Sequence, residues 1–194
     1  IIDAGALGSG VPTGKMILIK TLTASSSGTL SFVDGASSVV LDDTYDSYVF
    51  KFIDIHPSAS GESLEFNLST DSGSNYNVAK TTTFFVAAHS EDDTSEAQLE
   101  YRTAQDLAQG TGFQFIHWPT TNSNDDCSVG TLHLFNPSST VFVKHFIATA
   151  NIVYSKNLFI AGYGNTTSAV DAVRFQMSSG NIDAGVIKLY GIGG

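Results

Sequence analysis

The sequence predicts an all-β protein, an antiparallel β-sandwich of jelly-roll type. Three observations carry that expectation. Apolar and polar residues alternate with a period of two along most of the chain. Turn clusters rich in Gly, Ser, Asn, Asp and Pro recur between the alternating runs. No segment sustains a helical period. The runs number about ten to twelve, a spacing that suits a sandwich or barrel, and no internal repeat points to a propeller.

Composition narrows the class. The 194 residues include 9 Lys+Arg and 19 Asp+Glu, a charged share of 14%, where soluble domains carry roughly 25%. Hydroxyl residues fill the gap, with 24 Ser and 19 Thr. The apolar share of 42% is enough for a core and argues against disorder. No apolar run approaches the ~18 residues of a membrane span. A net charge of -10 repels phosphate and disfavours nucleic acid as a partner.

The chain opens on Ile1, not Met, which suggests a processed form or part of a longer protein. Ile1 to Gly14 holds four Gly and one Pro and lacks the charged start and apolar middle of a signal peptide. Residues 1–15 therefore read as a Gly-rich arm or linker, and 16–194 as one β-sandwich domain. The single cysteine, Cys127, excludes an intrachain disulfide. It follows Asp125 and Asp126, whose charges oppose thiolate formation, so it reads as an incidental loop or strand-edge residue.

The elements follow in order. Met16 to Leu22 is a β-rich run, and Leu30, Phe32 and Val39 to Leu41 continue it. Ser47 to Ile55 alternates, with Tyr48, Phe50 and Phe52 on one face and Val49, Lys51, Ile53 and Ile55 on the other. His56-Pro57 ends it. Leu64 to Ser69 and Thr81 to Ala88 flank the turn cluster Thr70 to Asn75 and read as a hairpin. A short strand is expected near Leu99 to Tyr101, then one helical turn near Gln105 to Gln109. Gly112 to His117 returns to alternation, with Phe113 and Phe115 on one face. Gly130 to Phe135 and Val141 to Ala148 flank Asn136 to Thr140, where Pro137 presets a turn. Ile152 to Tyr154, Leu158 to Ala161, Val170 to Met177 and Val186 to Ile192 complete the set. In the last, Ile187 and Leu189 share a face that Gly191 continues without a side chain.

Candidate chemistry is sparse. Ser69, Asp71, Gly73 and Tyr76 form an Asp-box-like turn. Asp71 can accept backbone N–H bonds, Gly73 can take positive φ, and Tyr76 can pack beneath the loop. Asn75 stands where the pattern usually has Thr. This is a structural turn and specifies no catalysis. Asp42, Asp43 and Asp46, and then Glu91, Asp92, Asp93 and Glu96, form acidic clusters without EF-hand spacing, which leaves a metal undecided. Of five histidines, His133 is expected opposite Val143, with His145 diagonal to it on the same face. Two histidines alone fall short of a zinc site. No nucleophile elbow, phosphate loop or other cofactor motif occurs, so no catalytic residue and no cofactor are assigned. Trp118, between His117 and Pro119, is a candidate glycan platform or interface contact, or covers one end of the sandwich.

MILIKTLTAS at 16–25, SFVDG at 31–35, LFNPSST at 134–140 and GVIKLYGI at 185–192 together carry a resemblance. They look like the C-terminal β-rich modules of virion proteins from tailed bacteriophages, especially marine ones. The resemblance spans Met16 to Ile192, and its motifs are short and structural. It implies a non-enzymatic virion protein on a tail fibre or capsid surface, often trimeric, with itself, other virion proteins and a host-surface glycan as partners. A tail-fibre adhesion module is the leading form. A capsid decoration protein and a lectin-like carbohydrate-binding module are the alternatives.

Overall fold

The computed structural model describes residues 16–153 and 155–193; the arm expected at 1–15 lies outside them. Twelve strands occur among the described residues: β1 (Met16–Thr23), β2 (Leu30–Val33), β3 (Ser47–Pro57), β4 (Leu64–Ser69), β5 (Lys80–His89), β6 (Ala97–Tyr101), β7 (Gln114–Phe115), β8 (Ser128–Phe135), β9 (Lys144–Ile152), β10 (Lys156–Gly164), β11 (Ala172–Met177) and β12 (Ile182–Ile192). They form two antiparallel sheets, an eight-stranded one in the order β1-β12-β3-β8-β9-β10-β5-β6 and a four-stranded one in the order β2-β11-β4-β7. The protein is an antiparallel β-sandwich.

The core lies between the sheets, where the alternating residues meet. Phe175 of β11 is its hub. Its ring centroid is 5.2 Å from those of Phe50 and Phe52 on the larger sheet, and 6.2 and 6.4 Å from those of Phe32 and Phe66 on its own. These edge-on and tilted contacts suit the charge distribution of aromatic rings. Phe66 meets Phe146 of β9 edge-on at 5.0 Å. Along β12, Ile187 and Leu189 are fully buried, and the Tyr45 ring fills the space beside Gly191.

The structure departs from the sequence expectation at five places. Leu64–Ser69 and the run after it are not a hairpin. β4 pairs with β11 and β7 in the smaller sheet, whereas β5 pairs with β10 and β6 in the larger. Both edges of β4 are taken, so the intervening residues carry the chain from one sheet to the other. Gln105 to Gln109 makes no helix and forms turns and coil. β7 spans only two residues of the run expected from Gly112 to His117; Phe113 and Phe115 do share a face, and Gln114 and Ile116 on the other are fully buried. Gln114 stands opposite Phe66, and its amide is satisfied there by the Thr82 hydroxyl at 2.6 Å and by the carbonyls of Gln105 and Phe115.

The fourth difference is Ile55, which is buried in the core and not on the outer face with Ile53. Asp54 takes φ 51° and the register slips between Phe52 and Ile55. A bulge of this kind shifts every later side chain to the opposite face. The fifth is the β8–β9 register. The connection runs from Asn136 to Val143, longer than the expected turn, because Ser139 Oγ accepts the N–H groups of Val141 and Phe142 and holds them in the loop. His133 therefore faces Ile147, not Val143.

Candidate functional site

The two sheets treat their outer faces differently. On the smaller sheet, the outward residues of β4 are covered: Glu65, Asn67 and Ser69 are all buried. The crossover after β4 does much of this covering. Ser69 Oγ donates to Asp71 Oδ1 at 2.7 Å and accepts the N–H of Gly73 at 3.0 Å; Asp71 Oδ1 accepts the N–H of Asn75 at 2.8 Å. The Asn75 amide takes the place of the usual Thr and donates to Asp71 Oδ2 at 2.7 Å. These bonds hold the Asp71 carboxyl below the usual carboxylate range, the Asn75 side chain contributing most. Gly73 has φ 78°, and a side chain there would strike the Tyr76 hydroxyl. Tyr76 lies beneath the loop with the Arg174 guanidinium 3.9 Å from its ring centroid, and Asp171 accepts the N–H of Ser72. The turn thus covers part of the outer face of the smaller sheet, over β4 and β11.

The outer face of the larger sheet is open to solvent. One row crosses all eight strands: Tyr101, Phe85, Phe159, Thr149, Thr131, Lys51, Lys188 and Thr21, each directly opposite the next. Beside it run Ala161, Ile147, His133, Val49 and Tyr190. The Phe85 and Phe159 rings are stacked, with centroids 4.9 Å apart and planes 12° from parallel. Ile147 is 53% exposed, Tyr101 51% and Leu99 73%. Contiguous apolar surface of this kind is uncommon on a face that meets only water. No Asp or Glu stands in either row, although the chain carries a net charge of -10.

Of the other predicted residues, His133 and His145 lie on this face and Trp118 sits apart from it. Trp118 is half-buried and packed on the core, and the Arg102 guanidinium lies 4.4 Å from its ring centroid. His117 beside it is buried; its Nε2 accepts the N–H of Leu64 at 3.1 Å, and its Nδ1 lies 2.6 Å from the Trp118 carbonyl oxygen. Burial pushes its pKa down to about 4. His133 and His145 do share the outer face, but each rests on an aromatic neighbour, Phe135 and Tyr163 respectively. Burial lowers the His133 pKa.

The acidic clusters form local turns. Asp92 accepts the N–H groups of Thr94 and Ser95 and the hydroxyls of Ser90 and Ser95; Asp42 accepts the N–H of Thr44; Glu96 pairs with Lys156 at 2.9 Å. Among the described residues, no three His, Cys, Asp or Glu converge on a point where a metal ion could sit. Burial, with Asp54 and Asp126 nearby, pushes the Cys127 thiol up.

Sequence reasoning did not single out Phe85, Phe159, Ile147, Leu99 and Tyr101 as a surface. A signal was available in Phe84-Phe85 and Leu158-Phe159-Ile160. Neighbouring residues in a strand point to opposite faces, so consecutive large apolar residues require either a second core or an exposed patch.

No family profile and no curated protein sequence matches this chain. Among solved structures, a protein of unknown function from Shewanella oneidensis MR-1 aligns at 11% identity over 99% of this chain and 84% of its own, with a TM-score of 0.21.

Proposed function

We propose that this chain is a non-enzymatic structural module that works through the outer face of its eight-stranded sheet, packing there against copies of itself. On the resemblance carried by residues 16–192, we place it in the virion of a tailed bacteriophage, as a tail-fibre adhesion module. The observation that supports this reading is the open face itself, which combines stacked aromatic rings, exposed Ile147 and Leu99, threonines and no carboxylate in its central rows. Burying such a surface removes apolar area from water at roughly 25 cal/mol per Å² and leaves few charges to desolvate.

Sedimentation velocity at micromolar concentration tests the assembly. A defined oligomer is expected, and a folded monomer when Ile147→Asp and Phe159→Lys are combined. A wild-type monomer would defeat the reading. Locating the chain in images of intact particles tests its place in a virion. A second reading, glycan binding, draws on the Tyr101-Phe85-Phe159 aromatic row; glycan-array binding that is lost in Phe159→Ala, with no wild-type oligomer, would favour it.

A further inference from the structure

We propose that Lys80 and Asn67 form an intramolecular amide bond that covalently joins the two sheets of the sandwich. Lys80 opens β5 in the larger sheet and Asn67 lies in β4 of the smaller; both are fully buried. Lys80 Nζ is 2.5 Å from Asn67 Oδ1. With a C=O bond of about 1.23 Å, the amine lies within about 3.7 Å of the amide carbon, close to the distance at which attack begins. Its one other partner among the described residues is the Val78 carbonyl at 2.8 Å, and no carboxylate pairs with it. A desolvated amine without a counter-ion favours its neutral, nucleophilic form; burial pushes the Lys80 pKa down to about 7.

The Asn67 amide is also held in place at both ends. Asn67 Oδ1 accepts the backbone N–H of Leu68 at 2.8 Å, a donor placed to stabilise negative charge as it builds on that oxygen. Asn67 Nδ2 donates to the carbonyls of Tyr76 at 2.7 Å and Thr111 at 3.0 Å, which turns Oδ1 toward the lysine. The Nζ lone pair attacks Cγ to give a tetrahedral intermediate with its charge on Oδ1. A proton passes from Nζ to Nδ2, the Cγ–Nδ2 bond breaks, and ammonia departs as the new Nζ–Cγ amide forms. No oxidant, reductant or co-reactant is needed. The Leu68 N–H stabilises the charge on Oδ1, and the proton the leaving nitrogen needs comes from Nζ itself.

Intact-mass spectrometry on the unmodified chain tests this without any variant. After incubation of the folded protein at mildly alkaline pH, the mass is expected to fall by one ammonia. Digestion is expected to yield a branched peptide containing Asn67 and Lys80, with no tryptic cleavage after Lys80. Lys80→Arg and Asn67→Ala chains keep their full sequence masses. A wild-type chain that retains its full mass and is cleaved after Lys80 overturns the proposal, as does loss of ammonia without the branched peptide. Neither result bears on assembly through the outer face.

Discussion

The carbonyl of Asp54 occupies the place that a side chain at Gly185 would need. A Cβ there would stand 2.6 Å from the Asp54 oxygen and 2.8 Å from the Ile55 Cα. The two residues lie across β3 and β12, where both strands slip register. The bulge that turns Ile55 into the core thus depends on a glycine in the neighbouring strand. Gly185 also has φ 119°, a conformation nearly closed to other residues. Gly185→Ala is expected to cost about 1–3 kcal/mol, read as a lower urea midpoint, with an unchanged m-value. A midpoint equal to wild type would show that the bulge tolerates the methyl group.

Phe175 joins the rings of both sheets, so its removal leaves a cavity that no single neighbour can fill. Phe175→Ala is expected to destabilise by about 3–5 kcal/mol. Phe175→Leu, which keeps much of the volume, should cost less. Chemical denaturation of the two variants checks the order.

His117 links stability to pH. Its folded pKa of about 4 lies below the ordinary 6.5, so the unfolded chain binds the proton more readily. Stability is therefore complete above 6.5 and falls as the pH drops from 6.5 toward 4, by on the order of 3 kcal/mol. Urea midpoints measured across that window should decline, and the decline should shrink in His117→Gln. A nuclear magnetic resonance titration should find the His117 ring neutral at a pH midway between those values.

Asp71 acts in a lower window. Its folded pKa is depressed by the bonds from Asn75 and Ser69, so its contribution is present above the ordinary carboxyl value of 3.8 and is lost as the pH falls through the folded value. The stability difference between wild type and Asp71→Asn should be largest near neutrality and close in acid. A constant difference would show that the loss comes from the amide replacement and not from the charge.

The outer face predicts a separation of stability from assembly. Ile147→Asp removes an exposed apolar residue that packs on no core position, so its thermal midpoint should match that of wild type diluted to monomer, while the sedimentation coefficient at micromolar concentration falls. A large drop in the midpoint would mark Ile147 as a folding residue.

The class of fold and most strands were legible in the sequence, because period-two alternation follows directly from the pleat. Tyr48, Phe50 and Phe52, and likewise Ile187 and Leu189, could be placed on shared faces from their spacing alone, and these faces are buried. The Asp-box-like turn was legible too, since Ser69, Asp71 and Gly73 bond within a few residues of one another. Sheet membership was not. Whether β4 turns back on itself or crosses to the other sheet depends on which edges β11 and β7 occupy, and those partners lie far along the chain. The Asp54 bulge, the burial of Gln114, the open aromatic face and the meeting of Lys80 with Asn67 share that origin. Local spacing determines which way a side chain points, but only tertiary packing decides what stands opposite it.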